Sequence, residues 1–217
     1  MVFRLDPMRK VLVICAHPDD ESLGCGSTML KHISQGDEVY CLVLTDNFRS
    51  PRIFEYFAKA AAILGITDYK LLKLPDSQLE KYTRMELAQE IEKYTQEIGT
   101  PDIIYTHHPD ELSQDHRIIF WAALTAFRPV WDKVFSIYSF DSPSSTEWST
   151  RPFVPNMFVD IGGFLEKKIE AIKCYETELR DAPHPRSIEA LESRARYWGS
   201  HCGVLFAEAF EVIREIR

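Results

Sequence analysis

The stretch VLVICAHPDDES (residues 11–22) decides the fold of this 217-residue chain. Its first half, VLVICA, is a short continuous apolar run rich in β-branched side chains, which is typical of a strand buried on both faces. The run leads directly into His17, Pro18 and the adjacent carboxylates of Asp19 and Asp20. Adjacent carboxylates repel each other, so folding alone gives no reason to place them at the end of a buried strand.

Strand-like and helix-like segments alternate along the chain. Strands are predicted at 11–17, 38–45, 69–74, 102–107 and 133–140, and helices at 25–35, 52–64, 83–98 and 115–127. A long loop rich in Ser, Pro and Thr is predicted at 139–156, followed by a short strand in NMFVDIGG and by two or three helices to the C-terminus. This alternation predicts an α/β fold, a three-layer Rossmann-like and mostly parallel sheet flanked by helices. We expect residues 1–217 to form a single domain.

The composition is that of an ordinary globular protein, with 45% hydrophobic and 27% charged residues. A net charge of -8 argues against a binding surface for nucleic acid. The apolar stretches are too short for a secretory signal or a membrane span. Because the cysteine count is odd and the cysteines are scattered, reduced thiols are favoured. We therefore expect a cytoplasmic protein that has no membrane span and binds no nucleic acid.

Side chains that bind metals follow two of the predicted strands. His17 and Asp20 follow the first strand, and the segment HHPDELSQDHR (107–117) at the end of the fourth supplies three more histidines. In such sheets ligands bind beyond the carboxyl ends of the strands. An imidazole and a carboxylate aimed at one point form two thirds of an open catalytic zinc site. Asp19 is then available as the general base of a hydrolase, whereas the simpler alternative is that Asp19 or Asp20 caps the following helix.

The motif HPDDE after a hydrophobic strand, with a later DHR preceded by HP, resembles the zinc-dependent N-acetylglucosaminyl deacetylases of the LmbE-like or PIG-L family. RIFE (52–55), LPDSQL (74–79) and the tail through AEAF extend the resemblance over most of the chain. It implies that His17, Asp20 and His116 bind Zn²⁺, or another divalent ion in cells. It also implies that Asp19 is the general base for a zinc-bound water that attacks the acetamide carbonyl.

Further catalytic roles follow from the same resemblance. It implies that a histidine near the second motif stabilises the oxyanion or protonates the leaving amine; His108 is favoured and His107 is kept in reserve. Asp115 is expected to orient a nearby histidine. Glu21 is expected to support the site or the helix start and not to bind the metal.

The expected substrate is a small N-acetylated sugar or glycoconjugate. Arg52 and Asp76 match positions that hold sugar hydroxyls or phosphate in members of the family, although an arginine that opens a helix is usually solvated. His184 and Arg186 lie in a predicted loop and complete the expected pocket, either of the same chain or of a neighbouring subunit. Members of the family are often oligomers, so a homo-oligomer is among the expected states.

Two functions of other classes are alternatives to this hydrolase. Gly24-Cys25-Gly26 follows a strand, and Asp46 ends the next one, as in a dinucleotide-binding protein. Met29 occupies the position of the third glycine, however, and the glycines begin well after the strand has ended. A non-catalytic metal-binding or sugar-binding module is the other alternative, and Asp19 argues against it because a pure binder needs no base.

Overall fold

The computed structural model describes residues 8–46, 50–130 and 135–215. Its strands are β1 Lys10–Cys15, β2 Glu38–Thr45, β3 Asp68–Leu74, β4 Ile103–His107, β5 Ser136–Phe140, β6 Met157–Asp160 and β7 Ala207–Arg214. Its α-helices are α1 Asp20–Ser34, α2 Ile53–Leu64, α3 Arg84–Ile98, α4 Gln114–Ala126, α5 Leu165–Lys173 and α6 Ile188–Cys202. The strands form one sheet in the order β3-β2-β1-β4-β5-β7-β6. Strands β1 to β5 are parallel, and β7 is antiparallel to both of its neighbours.

Both faces of the sheet are covered by helices. Val11 and Val13 of β1 belong to a core cluster shared with α1 and α2, whereas Leu12 and Ile14 belong to a second cluster shared with α3 and α4. Because successive side chains of a strand point to opposite faces, a strand between two helical layers is apolar at every position. The predicted three-layer α/β fold is confirmed.

Local signals set most helix ends where they were predicted. Helix α2 ends at Gly65, whose φ of 74° lies in the left-handed region that glycine tolerates best. Helix α3 begins with a capping box, in which Thr83 accepts a hydrogen bond from the Glu86 backbone and Glu86 accepts one from the Thr83 backbone.

Two predictions about these elements were wrong. Helix α1 begins at Asp20 and not at residue 25, and non-helical backbone angles at Cys25 interrupt it. The tail does not continue as helix to its end, because residues 207–214 form β7 between β5 and β6. Pairing on both sides overrides the helix preference of Ala and Glu in AEAFEVIR. The first residues of the predicted strand 133–140 lie outside the described ranges.

The sheet places the two polar motifs next to each other. Strands β1 and β4 are neighbours, and the strand order reverses direction between them. Such a switch point leaves a crevice at the carboxyl ends of the two strands. HPDDE follows β1, and HHPDE begins at the end of β4. Within the described ranges, no helix is both long enough and apolar enough to span a membrane.

Candidate functional site

Three predicted ligands converge in the crevice beyond β1 and β4. His17 Nδ1 lies 3.3 Å from Asp20 Oδ2 and 3.2 Å from His116 Nε2. His116 Nε2 lies 3.4 Å from Asp20 Oδ1. One ligand atom from each of the three residues lies within 4.8 Å of the others, so the group can hold a single metal ion.

The donor set fits a divalent cation. Asp20 is buried, and its Oδ1 has no hydrogen-bond donor among the described residues. A buried carboxylate oxygen without a donor is costly unless a cation faces it. Burial alone raises the pKa of Asp20, but the imidazoles of His116, His107 and His17 outweigh it and hold that pKa well below its usual value. Two imidazoles and one carboxylate leave a coordination position open, as catalytic metal sites require.

Two carboxylates orient His17, Asp76 in the loop after β3 and Asp115 in the first turn of α4. Its Nε2 lies 3.1 Å from Asp76 Oδ1 and 3.5 Å from Asp115 Oδ2. Asp115 is itself held by the backbone N–H groups of Ser77 and Leu79, which donate to it at 2.8 and 3.4 Å. The ring therefore turns Nε2 toward carboxylates and leaves Nδ1 facing Asp20 and His116. Asp115 thus lies where a residue that orients a ligand histidine is needed.

Glu111 plays the same part for His116, and sequence reasoning missed it. Its Oε2 lies 3.5 Å from His116 Nδ1. Its Oε1 accepts hydrogen bonds from Ser142 N at 3.2 Å and Thr146 Oγ1 at 2.8 Å. A buried glutamate needs such partners. In the sequence, its position inside the motif HHPDELSQDHR was the signal that could have identified it.

Asp19 faces the cleft and not the metal group. Its φ of 128° is strained for a residue with a side chain. It occupies the N-cap position of α1, but its side chain makes no capping hydrogen bond, so the simple capping interpretation does not apply. Its Oδ2 accepts a hydrogen bond of 2.8 Å from Arg186 Nη1. Burial raises the pKa of Asp19 well above its usual value, and the Arg186 guanidinium opposes that shift.

Glu21 holds the strained backbone of Asp19 in place. Its Oε2 accepts a hydrogen bond of 3.0 Å from Asp19 N. Its Oε1 accepts from Ser22 Oγ and from Tyr175 Oη, both at 2.6 Å. Glu21 is fully buried, and burial raises its pKa although these donors oppose the rise. It therefore supports the site from behind and is not part of the metal-binding group.

A cleft of about 230 Å³ opens above these residues. The predicted residues that line it are His17, Asp19, Asp76, His116 and Arg186. Its walls also include Ser77, Ser113, Ser144, Ser145, Leu112 and Glu178, none of which was predicted to contact substrate. The cleft is therefore polar, and it places hydroxyl, carboxylate and guanidinium groups around the metal-binding group.

His108 does not line the cleft, so the structure does not support its predicted role at the reacting atoms. It is buried, its Nδ1 lies 3.0 Å from Glu211 Oε2, and its ring packs edge-on against Phe153. The pleat explains the difference, because neighbouring residues at the end of a strand point to opposite sides. His107 is the one that turns toward the ligands.

His107 lies behind the ligands and is fully buried. Its ring stacks on that of His116 with 3.8 Å between centroids, and Ala16 N donates to its Nε2 at 2.9 Å. Burial, aided by the neighbouring His116, lowers the pKa of His107 to about 4. The neutral ring supports His116 from behind, and His107 is not among the residues that line the cleft.

Two predicted substrate residues lie outside the cleft wall. Arg52 is exposed and pairs with Glu55 at 3.2 Å, as a solvated residue at a helix start does. His184 accepts a hydrogen bond from Arg186 N at 3.1 Å and packs edge-on against Trp148. His184 therefore supports the loop that carries Arg186, whereas nothing in the described part of this chain brings Arg52 to the site.

This chain is similar in sequence to known proteins. A family model described as PIG-L, GlcNAc-PI de-N-acetylase, matches residues 12–127, which is more than half of the chain. The diacetylchitobiose deacetylase of Thermococcus kodakarensis is 27% identical over 229 residues, covering 95% of this chain and 84% of the relative.

Solved structures with the same fold cover nearly the whole chain. A conserved protein from Thermus thermophilus has a TM-score of 0.77 at 25% identity, with 97% of each chain covered. The N,N'-diacetylchitobiose deacetylase from Pyrococcus horikoshii, solved with an inhibitor, has a TM-score of 0.79 at 23% identity. That match covers 97% of this chain and 87% of the Pyrococcus chain, and at this identity it concerns the fold alone.

Proposed function

Since this chain belongs to the PIG-L family of GlcNAc-PI de-N-acetylases, we propose that it is a metal-dependent hydrolase that removes the acetyl group from an N-acetylglucosamine-type sugar. The observation that carries the proposal is the convergence of His17, Asp20 and His116, of which both histidines line a polar cleft together with Asp19. Hydrolysis of the amide releases acetate and a free amino sugar.

We assign the metal site to His17, Asp20 and His116, and zinc is the proposed ion. Imidazole and carboxylate ligands suit zinc but also accept other divalent ions, so cellular supply decides which ion is bound. A bound ion of this kind lowers the pKa of water and polarises a carbonyl oxygen. Asp115 and Glu111 would keep the two ligand rings oriented through His17 Nε2 and His116 Nδ1, the nitrogen atoms that lie away from Asp20.

Asp19 is the proposed general base. Because its Oδ2 is engaged by Arg186, we assign the proton transfer to Oδ1. Asp19 accepts a proton from the attacking water and returns it to the nitrogen of the leaving amine, so the proton balance closes within one residue. Since His108 lies outside the cleft wall, we assign this second step to Asp19 as well. The strained backbone fixed by Glu21 keeps the carboxylate directed at the cleft.

The cleft favours a single sugar ring at the reacting position. Its volume of about 230 Å³ is smaller than the roughly 300–1,000 Å³ of pockets that enclose larger ligands. Asp76, Arg186 and the wall serines offer acceptors and donors for sugar hydroxyls. By similarity to the diacetylchitobiose deacetylase, short N-acetylated saccharides are the first substrates to test.

The dinucleotide-binding alternative finds no support in this geometry. A side chain at Gly24 would come within 2.3 Å of the Phe140 ring, so this glycine allows α1 to pack on β5 and does not open a phosphate site. Asp46 Oδ1 accepts a hydrogen bond of 3.1 Å from Asp76 N and thereby positions a cleft residue.

The proposed location is the reducing cytoplasm, and a small-molecule substrate is the proposed partner. All five cysteines are unpaired, which agrees with a reducing compartment. A homo-oligomer stays a prediction, as does the single-domain organisation of the chain.

Acetate release from N-acetylated mono- and disaccharides by the zinc-loaded protein tests the proposal directly. Wild-type protein should release acetate, and Asp19→Asn should retain zinc while losing about 10²-fold or more in kcat. Asp68→Asn is the matched control, because Asp68 is exposed at the start of β3, at the opposite end of the sheet. Full activity of Asp19→Asn would remove Asp19 from the mechanism, and zinc binding unchanged by His17→Ala would show that the metal site is assigned to the wrong residues.

A further inference from the structure

Helix α1 is broken five residues after Asp20. Cys25 has φ −141° and ψ 23°, which are not helical angles. In a continuous helix, Ser27 N would donate to Leu23 O, and Thr28 N would donate to Gly24 O. The non-helical angles interrupt this pattern in a fully buried part of the molecule. Buried backbone groups need other partners.

A buried ion pair from distant parts of the chain supplies those partners. Glu208 of β7 accepts from Ser27 N at 3.0 Å and from Thr28 N at 2.7 Å. Lys168 of α5 donates from Nζ to Leu23 O at 2.8 Å and to Glu208 Oε1 at 2.6 Å. The Lys168 ammonium thus bonds to a carbonyl group at the end of the first half of α1. The Glu208 carboxylate accepts from two N–H groups at the start of the second half. Each charge also has the sign that the adjoining helix end favours.

The two glycines beside the break make room for different side chains, Gly26 for Lys168 and Gly24 for Phe140. A side chain at Gly26 would approach Lys168 Cγ within 3.2 Å, closer than most such contacts. Gly26 therefore allows the lysine stem to cross the helix at the break, while Gly24 admits Phe140. The Gly24-Cys25-Gly26 motif is explained by packing around the break.

The first half of α1 connects this ion pair to the proposed catalytic residues. Leu23 O accepts from Lys168, and Leu23 N donates to Asp19 O at 2.9 Å. The same turn begins at Asp20, which faces His17 and His116. The position of this turn relative to the second half of α1 therefore depends on the groups that bridge the break.

We propose that Lys168 and Glu208 are positioning residues that join the two halves of α1 and thereby set the places of Asp19 and Asp20. This inference rests on the function proposed above. Neither residue lines the cleft, so both act through the backbone of the turn. Removing either one should shift the turn and loosen the metal site without changing any ligand.

The test compares Lys168→Met and Glu208→Gln with Ile91→Ala. Ile91 is fully buried in α3 on the opposite face of the sheet, so its truncation destabilises the protein without touching the break. Zn²⁺ affinity is measured by competition with a chromogenic chelator, kcat and KM by acetate release, and the melting temperature by calorimetry. We expect the first two variants to bind Zn²⁺ about 10-fold more weakly and to lose kcat with little change in KM, by analogy with the loss of groups that orient metal ligands. Ile91→Ala should lower only the melting temperature.

Two further variants test whether the two residues act through their bonds to the backbone at the break or only through their opposite charges. Lys168→Arg keeps a donor toward Leu23 O and should retain more Zn²⁺ affinity than Lys168→Met. The exchanged pair Lys168→Glu with Glu208→Lys restores opposite charges but places a donor against Ser27 N and Thr28 N. It should therefore rescue neither affinity nor kcat, and rescue would overturn the inference.

The outcomes distinguish this inference from the proposed function. Wild-type affinity and kcat in Lys168→Met or Glu208→Gln, with only a lower melting temperature, would overturn the inference and leave the proposed function intact. A wild-type protein that binds no divalent ion and releases no acetate would refute the proposed function itself, and the inference with it.

Discussion

Replacing Glu111 with glutamine tests whether a buried carboxylate keeps His116 in the tautomer whose Nε2 can bind a metal. Glu111 Oε2 lies 3.5 Å from His116 Nδ1, while Oε1 accepts from Ser142 N and Thr146 Oγ1. Glutamine has nearly the same shape, so its carbonyl oxygen can keep both of the latter bonds. Its amide nitrogen then takes the place of Oε2 and faces His116 Nδ1.

The new amide favours the wrong tautomer of His116. An amide N–H donates, so Nδ1 becomes the acceptor and the imidazole proton moves to Nε2. Nε2 is the atom that lies beside Asp20 and His17, and in its protonated form it cannot bind a metal. Loss of such an orienting partner typically weakens metal affinity or activity by about 10–100-fold. This range corresponds to about 1.4–2.8 kcal/mol of binding free energy.

Chelator competition with Zn²⁺ measures the effect at equilibrium. Glu80→Gln is the matched control, because Glu80 also accepts a side-chain hydrogen bond next to α4, from Gln114 Nε2 at 3.0 Å, but is exposed. The Kd for Zn²⁺ should rise about 10–100-fold in Glu111→Gln and stay unchanged in Glu80→Gln. A folded Glu111→Gln protein with wild-type Zn²⁺ affinity would refute the reasoning.

Three other predictions concern the residues around the cleft and the ion itself. His108→Gln should leave kcat for acetate release at its wild-type value, and a large loss would restore the role expected from the sequence. Tyr175→Phe removes the 2.6 Å hydrogen bond to Glu21. It should therefore lower the free energy of unfolding, measured in urea, by about 1.5–3 kcal/mol, and it should also reduce kcat. The control Tyr197→Phe, on the exposed face of α6, should change neither quantity. Adding Zn²⁺ at 100 times its Kd to the chelated protein should stabilise it by about 2.7 kcal/mol in calorimetry, and an unchanged melting temperature would contradict a site in the folded state.

Elements with a strong local signal were predictable from the sequence. The continuous apolar run of β1 required a strand covered on both faces, and the alternation of segments required crossover helices. Strand β7 carried a mixed signal, because its Ala and Glu residues favour helices while Phe210, Val212 and Ile213 favour strands, and pairing with β5 and β6 decides the outcome. Its place in the sheet is a tertiary effect that no local pattern contains.

The candidate site also has parts that were predictable from the sequence and parts that were not. The convergence of His17, Asp20 and His116 was predictable, because parallel strand ends meet at one edge of the sheet. The contacts of Glu111 and Arg186 were not, because each depends on a loop that reaches the site from elsewhere in the chain. The role expected of His108 stays a prediction, although neither His108 nor His107 lines the cleft. One-residue alternation decides which of two adjacent histidines faces the crevice.

Charge balance around the cleft explains why two adjacent aspartates end β1. Asp76 and Glu178 also line the cleft, and among the described residues of its wall Arg186 alone is a lysine or arginine. Arg186 pairs with Asp19 and Glu178, so its charge is already shared. Asp20 faces imidazoles, which are neutral when they bind a metal. In the proposed mechanism, a divalent cation at Asp20 would therefore supply the positive charge that this buried group of carboxylates needs, and it would leave Asp19 to exchange protons with the substrate.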